Sequence, residues 1–170
     1  MEVLLGAWRE ALRADRAGVE LVRIRAELQH DFYDHITAVL RGIESTSRLL
    51  RDLYDLFPIY RSRVPMIVYY LDITLPSIEK TIKLMMAYID NEAFPARTQW
   101  TLMVERLGDQ GGMSLPTRFV MYVDLLVQLV RLLSRHVQTF PKFVNWSIMN
   151  LTGVSSALRS TIPPLWNYYA

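Results

Sequence analysis

In the first third of the chain, apolar residues return at every third or fourth position. The stripe runs Leu21, Ile24, Leu28, Phe32, Ile36, Val39, Ile43, Thr46, Leu50, Leu53, Phe57, with one threonine among its members. It advances 36 residues in ten steps, or 3.6 per step, the period of a straight α-helix; a coiled coil would approach 3.5. No proline interrupts residues 2–57, and only Gly6, Gly18 and Gly42 weaken the pattern. The spacing predicts one long helix, or two nearly collinear ones, packed against the rest of the domain. Residues 1–17 form a candidate separate docking helix, with Gly18 as its joint. Oppositely charged pairs four residues apart (Arg23 with Glu27, Glu44 with Arg48, Arg48 with Asp52, Arg51 with Asp55) mark the other face as solvent-facing.

Pro58 ends this run. Thr74-Leu75-Pro76, Ser114-Leu115-Pro116 and Thr139-Phe140-Pro141 then each set a hydroxyl two residues before a proline. The hydroxyl can accept from an orphan helix amide, and proline fits the first turn because it has no amide to satisfy. With Pro65 and Pro95 as further starts, the predicted helices span 65–73, 75–90, 95–107 and 115–136, and a polar loop follows Gly108. The last helix is the most regular: Leu115, Phe119, Tyr122, Leu126, Leu129 and Leu133 are spaced 4, 3, 4, 3, 4, and Val123, Val127 and Val130 widen the stripe. That breadth predicts a central bundle helix. Beyond His136 the periodicity fades, and Pro163-Pro164 cannot continue a helix. The expected fold is all-α: a helical bundle over 1–138 with a long N-terminal helix, then a short helix and an irregular aromatic C-terminal tail over 139–170.

Composition refines this reading. Half of the 170 residues are apolar and about a fifth are charged, which predicts one self-sustaining core. Cysteine is absent, excluding disulfides and thiolate chemistry and pointing to a reducing compartment. A formal net charge of +2 gives little field to attract nucleic acid. Glu2, Arg9, Glu10 and Arg13 break the apolar run a secretory signal needs. The most apolar window, 66–86, holds Asp72, Glu79, Lys80 and Lys83 and reads as core rather than a membrane span. An intracellular, cytoplasmic protein is expected.

Reactive chemistry has one candidate, His30-Asp31-Phe32-Tyr33-Asp34-His35. On a helix, His30 would share a face with Asp34, and Asp31 with His35, a spacing suited to a divalent metal or proton transfer. The two pairs point about 100° apart, so they do not converge. A polar helix face is the favoured reading. No phosphate loop, nucleophile elbow or zinc-helix motif occurs, so no catalytic, cofactor-binding or metal-ligating residue is assigned, and no cofactor is expected.

Aromatic placement says more. Tyr69, Tyr70, Tyr88, Trp100, Phe119 and Tyr122 lie on helical patterns and are assigned to the core. Trp146, Trp166, Tyr168 and Tyr169 lie where helical order is weakest, and either anchor a partner or fold back on the bundle. Leu5, Trp8 and Leu12, with Val3 and Leu4, form a second candidate surface.

Residues Gln99-Trp100-Thr101-Leu102-Met103, followed by Gly111-Gly112-Met113-Ser114-Leu115-Pro116-Thr117-Arg118-Phe119-Val120-Met121-Tyr122, resemble a segment of uncharacterised helical proteins of filamentous fungi. The resemblance covers 56–135 at most. It implies a fungal intracellular origin and a helical domain often part of a larger protein, and it carries no catalytic residues. The expected function is protein–protein interaction or scaffolding, with another protein or a second copy as partner. The alternatives are a membrane-surface-binding or membrane-perturbing domain, and a helical small-ligand binder or enzyme.

Overall fold

The computed structural model describes residues 2–109 and 112–134, and these fold into an all-α bundle. The order is α1 (Glu2–Leu28), α2 (Tyr33–Leu56), a single 3-10 turn (Arg61–Arg63), α3 (Val64–Ile89), α4 (Ala96–Asp109) and α5 (Leu115–Ser134). Among the described residues there is no strand.

The N-terminal stripe belongs to two helices, but they are antiparallel rather than collinear. Trp8 lies beside Tyr54, Asp15 beside Ser47 and Arg51, and Arg25 beside Thr37, so α2 returns along α1. The chain reverses at residues 29–32, where Gln29 (φ 54°) and Phe32 (φ 59°) are left-handed. The turn is closed by Asp31 N–H donating to the Leu28 carbonyl (3.0 Å) and Ile36 N–H to that of Phe32 (2.9 Å). Left-handed backbone strains a side chain with a Cβ and is normally signalled by glycine or asparagine. Here contacts with α4 hold the turn: Arg97 donates to Asp31 (2.9 Å) and lies over the Phe32 ring, 5.7 Å from its centroid. Gly18 is not a joint. It sits inside α1, where a Cβ would lie 3.7 Å from Ile43, and the helix runs through it.

Pro76 does not open a helix either, because α3 continues through it. Pro65 occupies the first turn of α3, as the spacing predicts. At Pro76 the missing amide leaves the carbonyl of Asp72, a residue on the solvent side, without its usual donor. The neighbouring hydroxyls bond back along the helix, Thr74 to the Tyr70 carbonyl (2.6 Å) and Ser77 to that of Ile73 (3.1 Å). Ser114, by contrast, caps α5: its Oγ accepts from Thr117 N–H at 3.4 Å and bonds the Thr117 hydroxyl at 2.7 Å. Thr139 lies outside the described residues.

α5 lies against α2 and runs the same way. Gly42 meets Phe119 near the start of α5, while Arg63, just past α2, donates to the Leu133 carbonyl at its end (3.1 Å). A Cβ on Gly42 would stand 2.5 Å from the Phe119 Cβ, so this crossing requires glycine. α5 buries Leu115, Phe119, Leu125, Leu126, Leu129 and Leu133 completely, in keeping with a central position. Tyr122 is buried among them, bonding the Thr81 hydroxyl (2.8 Å) and donating to the Ser77 carbonyl (3.0 Å) on α3. Burial raises its phenol pKa, with the Thr81 bond partly opposing the rise. Of the aromatics assigned to the core, Tyr70, Trp100, Phe119 and Tyr122 are buried. Tyr88 is half-buried and Tyr69 exposed, packing edge-on against Tyr70 instead.

Candidate functional site

α1 reaches its neighbours through small residues. Ala7, Ala11, Ala14 and Ala17 are wholly buried, and a Cβ on Gly6 would lie 3.3 Å from Leu75 of α3. Small side chains let helices approach closely. Over residues 5–19 they leave the large apolar side chains to positions that point outward, whereas Leu21 and Ile24 further along α1 are wholly buried. Leu5 is 59% exposed, Trp8 39%, Leu12 49%, Val19 68% and Val22 45%. With Asp15 between Leu12 and Val19, the spacing is 3, 4, 3, 4, 3, the step of a helix–helix seam. From Leu5 to Val22 this seam extends about 26 Å along the helix axis.

Leu5, Trp8 and Leu12 were expected as one surface, and the structure sets all three on this face. Trp146, Trp166, Tyr168 and Tyr169 lie outside the described residues. Val19, Val22, Asp15, Arg51 and Tyr54 complete the face and were not predicted. A second apolar register beside the alanine register of the same helix would have revealed the two valines.

Neighbouring side chains fix the seam. The Trp8 ring lies 5.1 Å from that of Tyr54, at 42°, and the Arg51 guanidinium stands 5.5 Å from the Trp8 centroid. Such a cation–π contact is worth on the order of 0.5–1 kcal/mol at an exposed site. Arg51 also bonds Asp15, whose other carboxylate oxygen accepts from Ser47 Oγ at 2.5 Å. The expected Arg51–Asp55 pair is thus replaced by one across the hairpin, whereas Arg23 does pair with Glu27 (2.7 Å). One edge of the seam carries Arg9, Arg16 and Arg23 at seven-residue intervals; Arg51 and Arg25 line the other, Arg25 lying over Tyr33.

Elsewhere the polar groups tie helices together. Glu10 is buried on the inner side of α1 and accepts from Arg13, which also bonds Glu79 of α3; both distances are 2.7 Å. Lys83 reaches the same Glu79 oxygen at 2.7 Å. These bonds, from Lys83 first and then Arg13, hold the Glu79 carboxyl below the ordinary glutamate range.

The histidine-rich segment forms the α1–α2 turn and the first turn of α2, so the presumed helical pairings of His30 with Asp34 and Asp31 with His35 do not form on one helix. Asp31 instead bonds Arg97, and His35 packs edge-on against Trp100, centroids 5.4 Å apart. Among the described residues no three His, Asp or Glu side chains gather as metal ligands, and no helix is long and apolar enough to cross a membrane. Pro76, Glu79, Lys80, Lys83 and Leu84 line a depression open to solvent on α3.

Comparison with protein-family models, curated proteins and solved structures finds no match to any of the three.

Proposed function

We propose that this protein is a helical binding module that recognises another protein through the outer face of α1. The observation that carries this reading is the seam from Leu5 to Val22: five large apolar side chains turned to solvent on a helix that buries Ala7, Ala11, Ala14 and Ala17 on its inner side. Exposed aliphatic residues are ordinary when scattered. Here they share one register, and Trp8 is braced by Tyr54 and Arg51 like an interface anchor. Bracing lowers the entropy lost when a partner covers the ring.

Affinity capture with mass spectrometry tests the reading, comparing the natural chain with Leu12→Gln/Val19→Gln. Circular dichroism should show the same helicity for both. A set of proteins captured by the natural chain and lost from the variant supports the function; identical sets from both reject it.

A second reading is adsorption to an anionic membrane surface, with the same apolar residues inserted and Arg9 and Arg16 at the headgroups. The exposed arginines favour it, and Asp15 in the middle of the seam opposes it. Flotation with anionic vesicles at low salt decides: absence of binding rejects this reading.

A further inference from the structure

From the charges beside the seam we infer the chemistry of the partner: an amphipathic helix whose apolar stripe is flanked by aspartate or glutamate. The inference rests on the binding reading above and adds the identity of what binds.

The spacing comes first. An a/d step of three and four residues sustained from Leu5 to Val22 is matched along its length by another helix with the same step, because each side chain then enters the gap between four of the other's. An extended peptide would meet the seam only intermittently, since its side chains alternate between faces.

Charge selects the sign. Next to the apolar residues on the α3 side stand Arg9, Arg16 and Arg23, one per heptad. Each already bonds a carboxylate that is not a seam residue: Arg16 to Asp90 (3.3 Å), Arg23 to Glu20 (3.0 Å) and Glu27 (2.7 Å), and Arg9 to the buried Glu10 (3.3 Å). The side chains of Arg9 and Arg16 remain about two-thirds exposed, at 62% and 69%. On the α2 side, Arg51, paired with Asp15 of the seam, and Arg25 border the seam. Flanking positions of paired helices set partner choice through charge, and here the exposed flank of Arg9 and Arg16 is basic.

The same edge disfavours an antiparallel second copy. Two copies of α1 meeting antiparallel would set the Arg9, Arg16 and Arg23 edge against itself, and like charges at flanking positions repel. A lipid surface matches the arginines but not Asp15, which would be carried towards the acyl chains with its Ser47 and Arg51 partners. For a helix partner, Asp15 acts as a register mark. A bulky apolar residue opposite it would bury its carboxylate, so a small or polar residue belongs there.

The test uses two synthetic amphipathic helices with leucines at alternating three- and four-residue steps, one flanked by glutamate and one by lysine. Binding to the full chain is read by fluorescence anisotropy. The glutamate peptide should bind at least about tenfold more tightly than the lysine peptide and weaken with salt. Leu12→Gln/Val19→Gln should abolish binding, and Arg9→Glu/Arg16→Glu should reverse the preference while leaving the fold intact. Equal binding of both peptides, or a preference that the charge reversal leaves unchanged, overturns the inference. If neither peptide binds while lysate capture still depends on Leu12 and Val19, the partner chemistry is wrong but the binding reading stands. If capture does not depend on them, both fail. Two other outcomes overturn it by naming a different occupant: a dimer in light scattering that Leu12→Gln/Val19→Gln dissolves, or vesicle binding by a chain that takes up neither peptide.

Discussion

α1 and α5 are both long, both apolar along much of their length and both packed against α2, yet they spend their large side chains in opposite directions. α5 turns Phe119, Leu125, Leu126, Leu129 and Leu133 inward, and Val120 is its exposed large apolar residue. α1 turns Leu5, Trp8, Leu12, Val19 and Val22 outward and over residues 7–17 buries alanines, with Leu21 and Ile24 buried only towards its C-terminal end. Hydrophobic content alone would call both helices core. The difference lies in which residues occupy the inner register, and it separates a helix that builds the domain from one that also presents a surface.

Several substitutions would break or sharpen that contrast. The largest effect belongs to Phe119→Ala, which removes a wholly buried ring at the Gly42 crossing. Chemical denaturation should show a loss of roughly 3–5 kcal/mol. Enlarging the alanine face should cost less: Ala14→Leu forces a branched side chain into a fully buried site, with an expected loss of about 1–3 kcal/mol. If Ala14→Leu were neutral, the close approach of α1 would not be required.

Smaller again is the ion-pair network between α1 and α3. Because the Glu79 carboxyl is held below its ordinary value by Lys83 and Arg13, its contribution is fully present above the pKa of an unfolded glutamate. It is lost as pH falls through the lowered folded value. Stability measured across acid pH should therefore drop less steeply in Glu79→Gln than in the natural chain, by under about 1 kcal/mol. The smallest change in stability is expected for Leu12→Gln/Val19→Gln, within about 0.5 kcal/mol per site. A drop comparable to that of Phe119→Ala would mean the seam is covered by this chain itself.

Much of the bundle was legible because apolar period and helix caps are local signals. The α5 stripe and the Ser114 cap fell where the spacing placed them, and Pro65 marks the first turn of α3. Two features were not legible, each for a physical reason. The α1–α2 reversal uses Gln29 and Phe32 in left-handed backbone, so no glycine or asparagine announces it. Leu28, Phe32 and Ile36 keep the helical period across the turn. Pro76 reads as a start, but Thr74 and Ser77 bond backward along the helix instead of capping a new one. At the candidate site, Leu5, Trp8 and Leu12 were visible as a cluster. The braces on Trp8 and Asp15 come from α2 across the hairpin, and contacts between residues so distant in sequence leave no local trace.

The alanine face has one more consequence. A methyl group buries far less apolar area than a leucine side chain, so the 7–17 stretch of α1 gains less from apolar burial per residue than α5 does. Its amides should therefore exchange with solvent hydrogen through smaller openings than those of α5, which follow global unfolding. A partner gripping the outer seam would bind only the closed helix and draw that opening equilibrium shut. Recognition would then be recorded inside the protein as slowed exchange along α1, including at Ala7, Ala11, Ala14 and Ala17, which the partner never touches.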